Sequence, residues 1–92
     1  MILEVVSPEA TLFSGEVNSV AVPGANGAFQ VLDNHAPIVS ILNPGTVKIG
    51  GKISLPEETA HHFKQQGEET FLELPNGGTV EMQQNKIVLL AD

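Results

Sequence analysis

Between Val31 and Gly45 the chain reads Val-Leu-Asp-Asn-His-Ala-Pro-Ile-Val-Ser-Ile-Leu-Asn-Pro-Gly. An apolar strand core, Ile38 to Leu42, lies between two turns. Asn34-His35-Ala36-Pro37 enters it and Asn43-Pro44-Gly45 leaves it. Each turn sets a proline, which fixes φ, beside residues that favour turns. Such rigid punctuation around a short segment points to a strand of fixed length, with His35 held at a defined place on a sheet rim.

The rest of the chain follows the same rhythm. Ile2–Ser7 reads as a strand ended by Pro8, and Thr11–Phe13 as a brief extended piece. Val17–Val22 is closed by Pro23-Gly24, and Ala25-Asn26-Gly27 is a turn signal. Ala28–Leu32 leads into the rigid turn. Over Thr46–Leu55, Val47, Ile49, Ile53 and Leu55 share one face, which predicts one continuous strand with a bulge or bend at Gly50-Gly51. Phe71–Leu74 and Thr79–Gln83 flank Pro75-Asn76-Gly77-Gly78, a hairpin signal. Lys86–Ala91 is apolar enough to be covered on both faces. Only Pro56–Gln66 breaks the pattern. Ser54-Leu55-Pro56-Glu57 matches a capping box, so a short helix near 56–66 with Ala60 and Phe63 inward is one reading. An irregular excursion of a long hairpin is the other. Eight or nine short strands with frequent turns imply an all-β fold, a flattened sandwich or barrel, as a single domain over 1–92.

With no Trp or Tyr and four Phe, the core must be aliphatic. That suits packed strands better than an aromatic-lined ligand cleft. Four Lys and no Arg at a net charge of −7 disfavour nucleic acid and anionic lipid. The absence of Cys removes disulfides and thiolate chemistry and fits a reducing compartment. No signal-peptide pattern or membrane-spanning run is visible, so a cytoplasmic location without direct membrane insertion is expected, with attachment to a membrane complex through protein contacts still open.

Candidate chemistry is sparse. On a helix Glu57 and His61, and Glu58 and His62, would lie four apart, but the pairs splay and no third ligand is evident, so solvated polarity is preferred to metal. His35 has only Asp33 as a close acid–base partner, and Asp33 reads more simply as an Asx-turn residue. Glu68-Glu69 is no proton-sharing dyad, because strand neighbours point to opposite faces. The Pro23–Gly27 segment lacks a phosphate-loop lysine. The residues alone therefore support a rigid, acidic, all-β interaction module, with no catalytic residue, cofactor or metal expected.

Six motifs then occur in order: Leu3-Glu4-Val5-Val6-Ser7-Pro8-Glu9, Phe13-Ser14-Gly15, His35-Ala36-Pro37, Pro44-Gly45, Gly77-Gly78-Thr79-Val80-Glu81 and Val88-Leu89-Leu90-Ala91-Asp92. Together they resemble the N-terminal domain of the epsilon subunit of F-type ATP synthase. The resemblance implies a ten-stranded flattened β-sandwich at the foot of the central stalk, peripheral on the cytoplasmic face of the inner membrane. It implies a non-catalytic rotor part, coupling proton or sodium translocation to ATP synthesis. Ser7, His35, Ala36 and Pro37 would face the gamma subunit. The loop Gly24, Ala25, Asn26, Gly27, Ala28, Phe29 would approach the polar loops of the c-ring. The family usually has Gly where Asn34 stands, and Asn tolerates the left-handed conformation that position needs. Some relatives are acidic where this chain has Ala28. Lys52–Gly67 is longer than is usual in the family. Many members continue into an inhibitory two-helix domain, and a chain ending at Asp92 is expected to lack it. The rival readings are a free-standing β-sandwich binding a ligand or carbohydrate, and a small metal-dependent enzyme using His61, His62 and Glu57 or Glu58.

Overall fold

Alternation of inward and outward side chains sorts ten short strands into two sheets, in a computed structural model that describes residues 1–92. In chain order they are β1 (Ile2–Val6), β2 (Thr11–Glu16), β3 (Ser19–Val22), β4 (Phe29–Leu32) and β5 (Ile38–Leu42). They continue with β6 (Gly45–Gly50), β7 (Phe63–Gln66), β8 (Glu69–Leu74), β9 (Gly78–Gln83) and β10 (Lys86–Ala91). Sheet I runs β2-β1-β10-β9-β5 and sheet II β4-β3-β6-β8-β7. β1 and β10 pair in parallel, Leu3 opposite Ile87 and Val5 opposite Leu89; every other pair is antiparallel. The all-β sandwich read from the sequence is thus the fold.

The inner faces meet in an aliphatic core of 18 buried residues. Sheet I contributes Leu3, Val5, Ile87 and Leu89; sheet II contributes Val20, Val31, Val47 and Ile49, all fully buried. Phe13 is the one aromatic ring within this buried set. Thr70, the buried polar residue, accepts from Gln65 Nε2 at 3.2 Å, so no buried side-chain polar atom lacks a partner. An unpaired polar group here would cost about 1–3 kcal/mol.

Three local expectations are overturned. Pro75–Gly78 does not close a hairpin, because β8 belongs to sheet II and β9 to sheet I. The turn is real, with Gly77 at φ 70°, but it carries the chain between sheets. Each strand pairs elsewhere, β8 with β6 and β7, and β9 with β10 and β5. The Thr46–Leu55 strand stops at Gly50, where Gly51 turns away at φ 125°. Ile53 and Leu55 still reach the core as expected, but from a loop. Third, no helix of two or three turns forms near 56–66. A single 3₁₀ turn spans Ala60–His62, and Phe63–Gln66 join β8 as an edge strand. The capping box is unused: Thr59 is the cap residue and makes no side-chain cap bond. The excursion reading is the one the structure matches.

The rigid turn forms as expected, with Asn34 at φ 61°. Its N–H donates to Asn85 Oδ1 at 2.8 Å, and the His35 N–H donates to the Leu32 carbonyl at 3.2 Å. Asp33 makes no Asx turn. Its carboxylate instead accepts from the Met1 α-ammonium at 2.6 Å, and Glu16 accepts from the same group at 3.1 Å. These bonds, Asp33's first, raise the pKa of the amino group above its ordinary 8.0.

Two outcomes are expected. A methyl group at Gly77 would press on the Leu42 carbonyl oxygen, at a φ that L residues avoid. Gly77→Ala should lower stability by about 2–4 kcal/mol. Gly67→Ala, with φ +63 and open space around it, should lower stability by only about 1–2 kcal/mol. Urea midpoints with unchanged slopes measure both, and equal losses would refute the close approach at Gly77. The raised Met1 pKa means its contribution is complete below about pH 8 and fades as pH rises through the higher folded value. In a chain with a free Met1 amino group, stability should therefore fall above about pH 8, and Asp33→Asn should flatten that fall. Parallel curves for the two proteins would show the contact to be inert.

Candidate functional site

The two sheets differ on their outer faces. Sheet II is largely polar outside: Lys48 Nζ lies 3.2 Å from Glu69 Oε2, and the Thr46 hydroxyl donates to Glu73 at 2.6 Å, with Leu32 on edge strand β4 its one large exposed aliphatic side chain, 53% exposed. Sheet I gathers three such side chains. Val39 and Ile41 on β5 are 74% and 68% exposed, and Leu90 on β10 is 46% exposed. Register aligns them. One row runs Ile41, Thr79, Leu90, Val6; the next runs Val39, Glu81, Val88, Glu4. Val6 and Val88 are half-buried, so the apolar residues form a band across the sheet with Glu81 and Glu4 within it. Exposed apolar side chains gathered on one face, here on either side of Thr79 and Glu81 of β9, suit an interaction surface.

β10 explains why the sequence hinted at this. It reads as a strand covered on both faces, yet only its inner face, Ile87 and Leu89, is covered within the chain. An apolar outer face on a central strand is the one local signal that a second surface belongs there.

The expected site residues fall in two groups. Ser7 sits after β1, where its N–H donates to the Ala10 carbonyl at 2.8 Å and its hydroxyl donates to the same oxygen at 3.2 Å. Its side chain is used by the β1–β2 turn. His35, Ala36 and Pro37 precede β5 and are exposed. Because Ile38 lies opposite Met82 while Val6 lies opposite Leu90, they stand at the other end of sheet I from Ser7. The structure does not bring Ser7 and His35 together; the apolar band lies between them. His35 holds Nδ1 2.7 Å from the Ala36 carbonyl, so that nitrogen carries the proton. Asp33 is engaged by Met1, and His35 makes no bond to it.

The loop from Gly24 to Phe29 lies at the Ser7 end. Gly24 bridges to Leu42, the Ala25 N–H donates to the Ile41 carbonyl at 2.8 Å, and Gly27 turns at φ 125°. Gly24 is required: a Cβ there would lie 2.6 Å from the Gly27 oxygen and 2.7 Å from the Phe29 ring. Phe29 packs against the core while Ala25, Asn26, Gly27 and Ala28 project into solvent without charge. The end of the sandwich thus presents a stiff neutral loop beside the Ser7 turn.

The sheet I face and its ends offer little to hold a small ligand. The three surface hollows measure about 210, 290 and 310 Å³, and none has more than three apolar lining residues. The His61 and His62 rings lie 4.1 Å apart, and no three metal-ligating side chains converge anywhere. No helix is long and apolar enough to cross a membrane.

Comparison with known proteins places the fold in a family. The family model "ATP synthase, Delta/Epsilon chain, beta-sandwich domain" matches residues 1–92. An ATP synthase epsilon chain of Chlorobaculum tepidum is 38% identical over 90 residues, covering 98% of this chain and 86% of its own length. One from Desulforamulus reducens is 36% identical over 90 residues; there the chain spans only 57% of its relative's length. A chain in the central stalk and c-ring structure of Tetrahymena thermophila mitochondrial ATP synthase superposes with a TM-score of 0.68. It is 13% identical, with 98% of this chain and 61% of that one covered, which is a likeness of fold. With the family model matching from end to end, this chain is a member of the delta/epsilon β-sandwich family of ATP synthase.

Proposed function

We propose that this chain is the sandwich part of a central-stalk rotor subunit, linking a gamma subunit to the c-ring and coupling ion translocation to ATP synthesis. The observation that carries the reading is the apolar band on sheet I. Val39, Ile41 and Leu90 stand exposed in register on one face, while the opposite face exposes a single large aliphatic side chain, Leu32, at its edge. In this reading gamma covers that band. His35, Ala36 and Pro37 border it at one end and the Ser7 turn at the other, while the Gly24–Phe29 loop meets the ring. Glu81 and Glu4 within the band would set register against donors or cations on gamma, more than add affinity.

The subunit works by shape. A torque-bearing spacer must be stiff, and short strands with proline-fixed and glycine-packed turns are stiff. It takes no cofactor and performs no catalysis of its own. It sits peripherally at the membrane, on the cytoplasmic side, through protein contacts alone. A free-standing ligand-binding module would need a concave apolar pocket, and the shallow hollows do not favour it.

Binding to the gamma subunit of the same complex tests the reading. Burying a Val or Ile side chain is worth about 1.5–3 kcal/mol, so Val39→Asp or Ile41→Asp should weaken binding about ten- to hundredfold. Both positions are exposed, so far-UV circular dichroism should not change. Lys48→Ala on sheet II should bind as wild type. Undiminished binding by both β5 variants would end the proposal for this face. His35→Ala should weaken gamma binding without unfolding the domain, and an unaltered affinity would remove His35 from the contact.

A further inference from the structure

The segment from Gly51 to His62 has no part in that reading. It leaves β6, crosses the side of the sandwich and enters β7. On the β5 side the two sheets are stitched by backbone. Gly24 bridges Leu42, the Ala25 N–H donates to the Ile41 carbonyl, and the Asn43 N–H donates to the Pro23 carbonyl at 2.8 Å. On the β2 side the backbone tie to sheet II lies only past the end of the strand, where the Asn18 N–H donates to the Gly50 carbonyl at 2.8 Å. Between Lys52 and Glu58 no backbone hydrogen bond joins the segment to either sheet. Its ties are two side-chain bonds. The Thr59 hydroxyl donates to the Leu12 carbonyl of β2 at 2.6 Å, and Gln65 Nε2 of β7 donates to the Ile53 carbonyl at 3.1 Å. Ile53 and Leu55 are apolar pegs, half-buried against the core. The near end pivots at Gly51, φ 125°, anchored by its N–H to the Glu68 carbonyl at 2.9 Å.

We propose that Gly51–His62 is a detachable strap. It opens as a unit while the sandwich stays folded, and when closed it blocks the β2 edge from pairing with a second copy of this chain. The edge it guards is hazardous. The shift in pairing between Val5 and Val6 marks a bulge in β1–β2, and Leu12 and Phe13 both turn inward there. Lifting the strap frees the Leu12 carbonyl and bares apolar surface beside it. A free strand edge next to apolar surface is what β-proteins cover to prevent edge-to-edge association. A segment held by few hydrogen bonds is also the kind that opens locally, below the free energy of global unfolding. The device is independent of what covers sheet I.

The chain has no cysteine, so single thiols report cleanly. Leu12→Cys, beneath the strap, should react with a thiol reagent at least tenfold faster than Leu89→Cys in the centre of the core. Adding Thr59→Val should accelerate the first about three- to tenfold, the worth of one part-buried hydrogen bond, and leave the second unchanged. In an Ile41→Asp background, which silences the sheet I face, Leu55→Asp/Thr59→Val should dimerise in sedimentation equilibrium. Ser14→Cys should then cross-link between copies, while the parent stays monomeric. Equal labelling of the two thiols, no response to Thr59→Val, a dimeric parent, or a folded strap variant that stays monomeric would each overturn the proposal. If the strap variant does not fold, the Thr59→Val labelling decides alone.

Discussion

The joint around Leu42 fixes how the rest of the molecule can be arranged. Here four backbone segments meet. Gly24 bridges Leu42 from the β3–β4 loop, Gly77 lies against the Leu42 carbonyl on the way from sheet II to sheet I, and the Asp92 N–H donates to the Gly77 carbonyl at 3.1 Å. At Gly77 the approach to the Leu42 carbonyl is open only to a residue without a Cβ. It holds β5 at the edge of sheet I beside β9, which sets Val39 and Ile41 outward in register with Leu90. It also pins the Gly24–Phe29 loop to the end of the sandwich. The candidate docking face and the loop at its end are thus consequences of one packed junction.

The two sides of the sandwich are closed by different physics. Backbone pairing closes the β5 side and yields a stiff wall. Side-chain pegs and two hydrogen bonds close the β2 side through the strap. A domain of this size has a thin core, so each wall that keeps water out matters in proportion. The difference between the walls also sorts mobility. The face assigned to the stalk partner spans sheet I from the rigid β5 edge to β1, and the proposed local opening lies one strand further, beyond β2.

Much of this was legible in the chain, for local reasons. Asn34 was expected in the left-handed region, because the short Asn side chain tolerates it, and it lies there. Proline-bounded Ile38–Leu42 is a strand with the expected limits. The failures share a cause. Pro75–Gly78 carries a hairpin's turn chemistry, yet which sheet each flanking strand joins depends on distant partners. The alternation through Ile53 and Leu55 reported burial correctly and strand continuity wrongly, because a loop can drive the same pegs into the core. The capping pattern near Pro56 was overridden. Too few apolar residues lie at helical spacing to hold a helix on the core, while Phe63–Gln66 gain a ladder with β8.

The sequence by itself determined the class of fold, the aliphatic core and the rigid turns, because φ preference, side-chain alternation and turn chemistry act within a few residues. Tertiary structure alone decided that Ser7 and His35 lie at opposite ends of one sheet, that the face between them is apolar, and that a strap closes the far side. Those facts depend on strand order and register, which come from pairing across the whole chain.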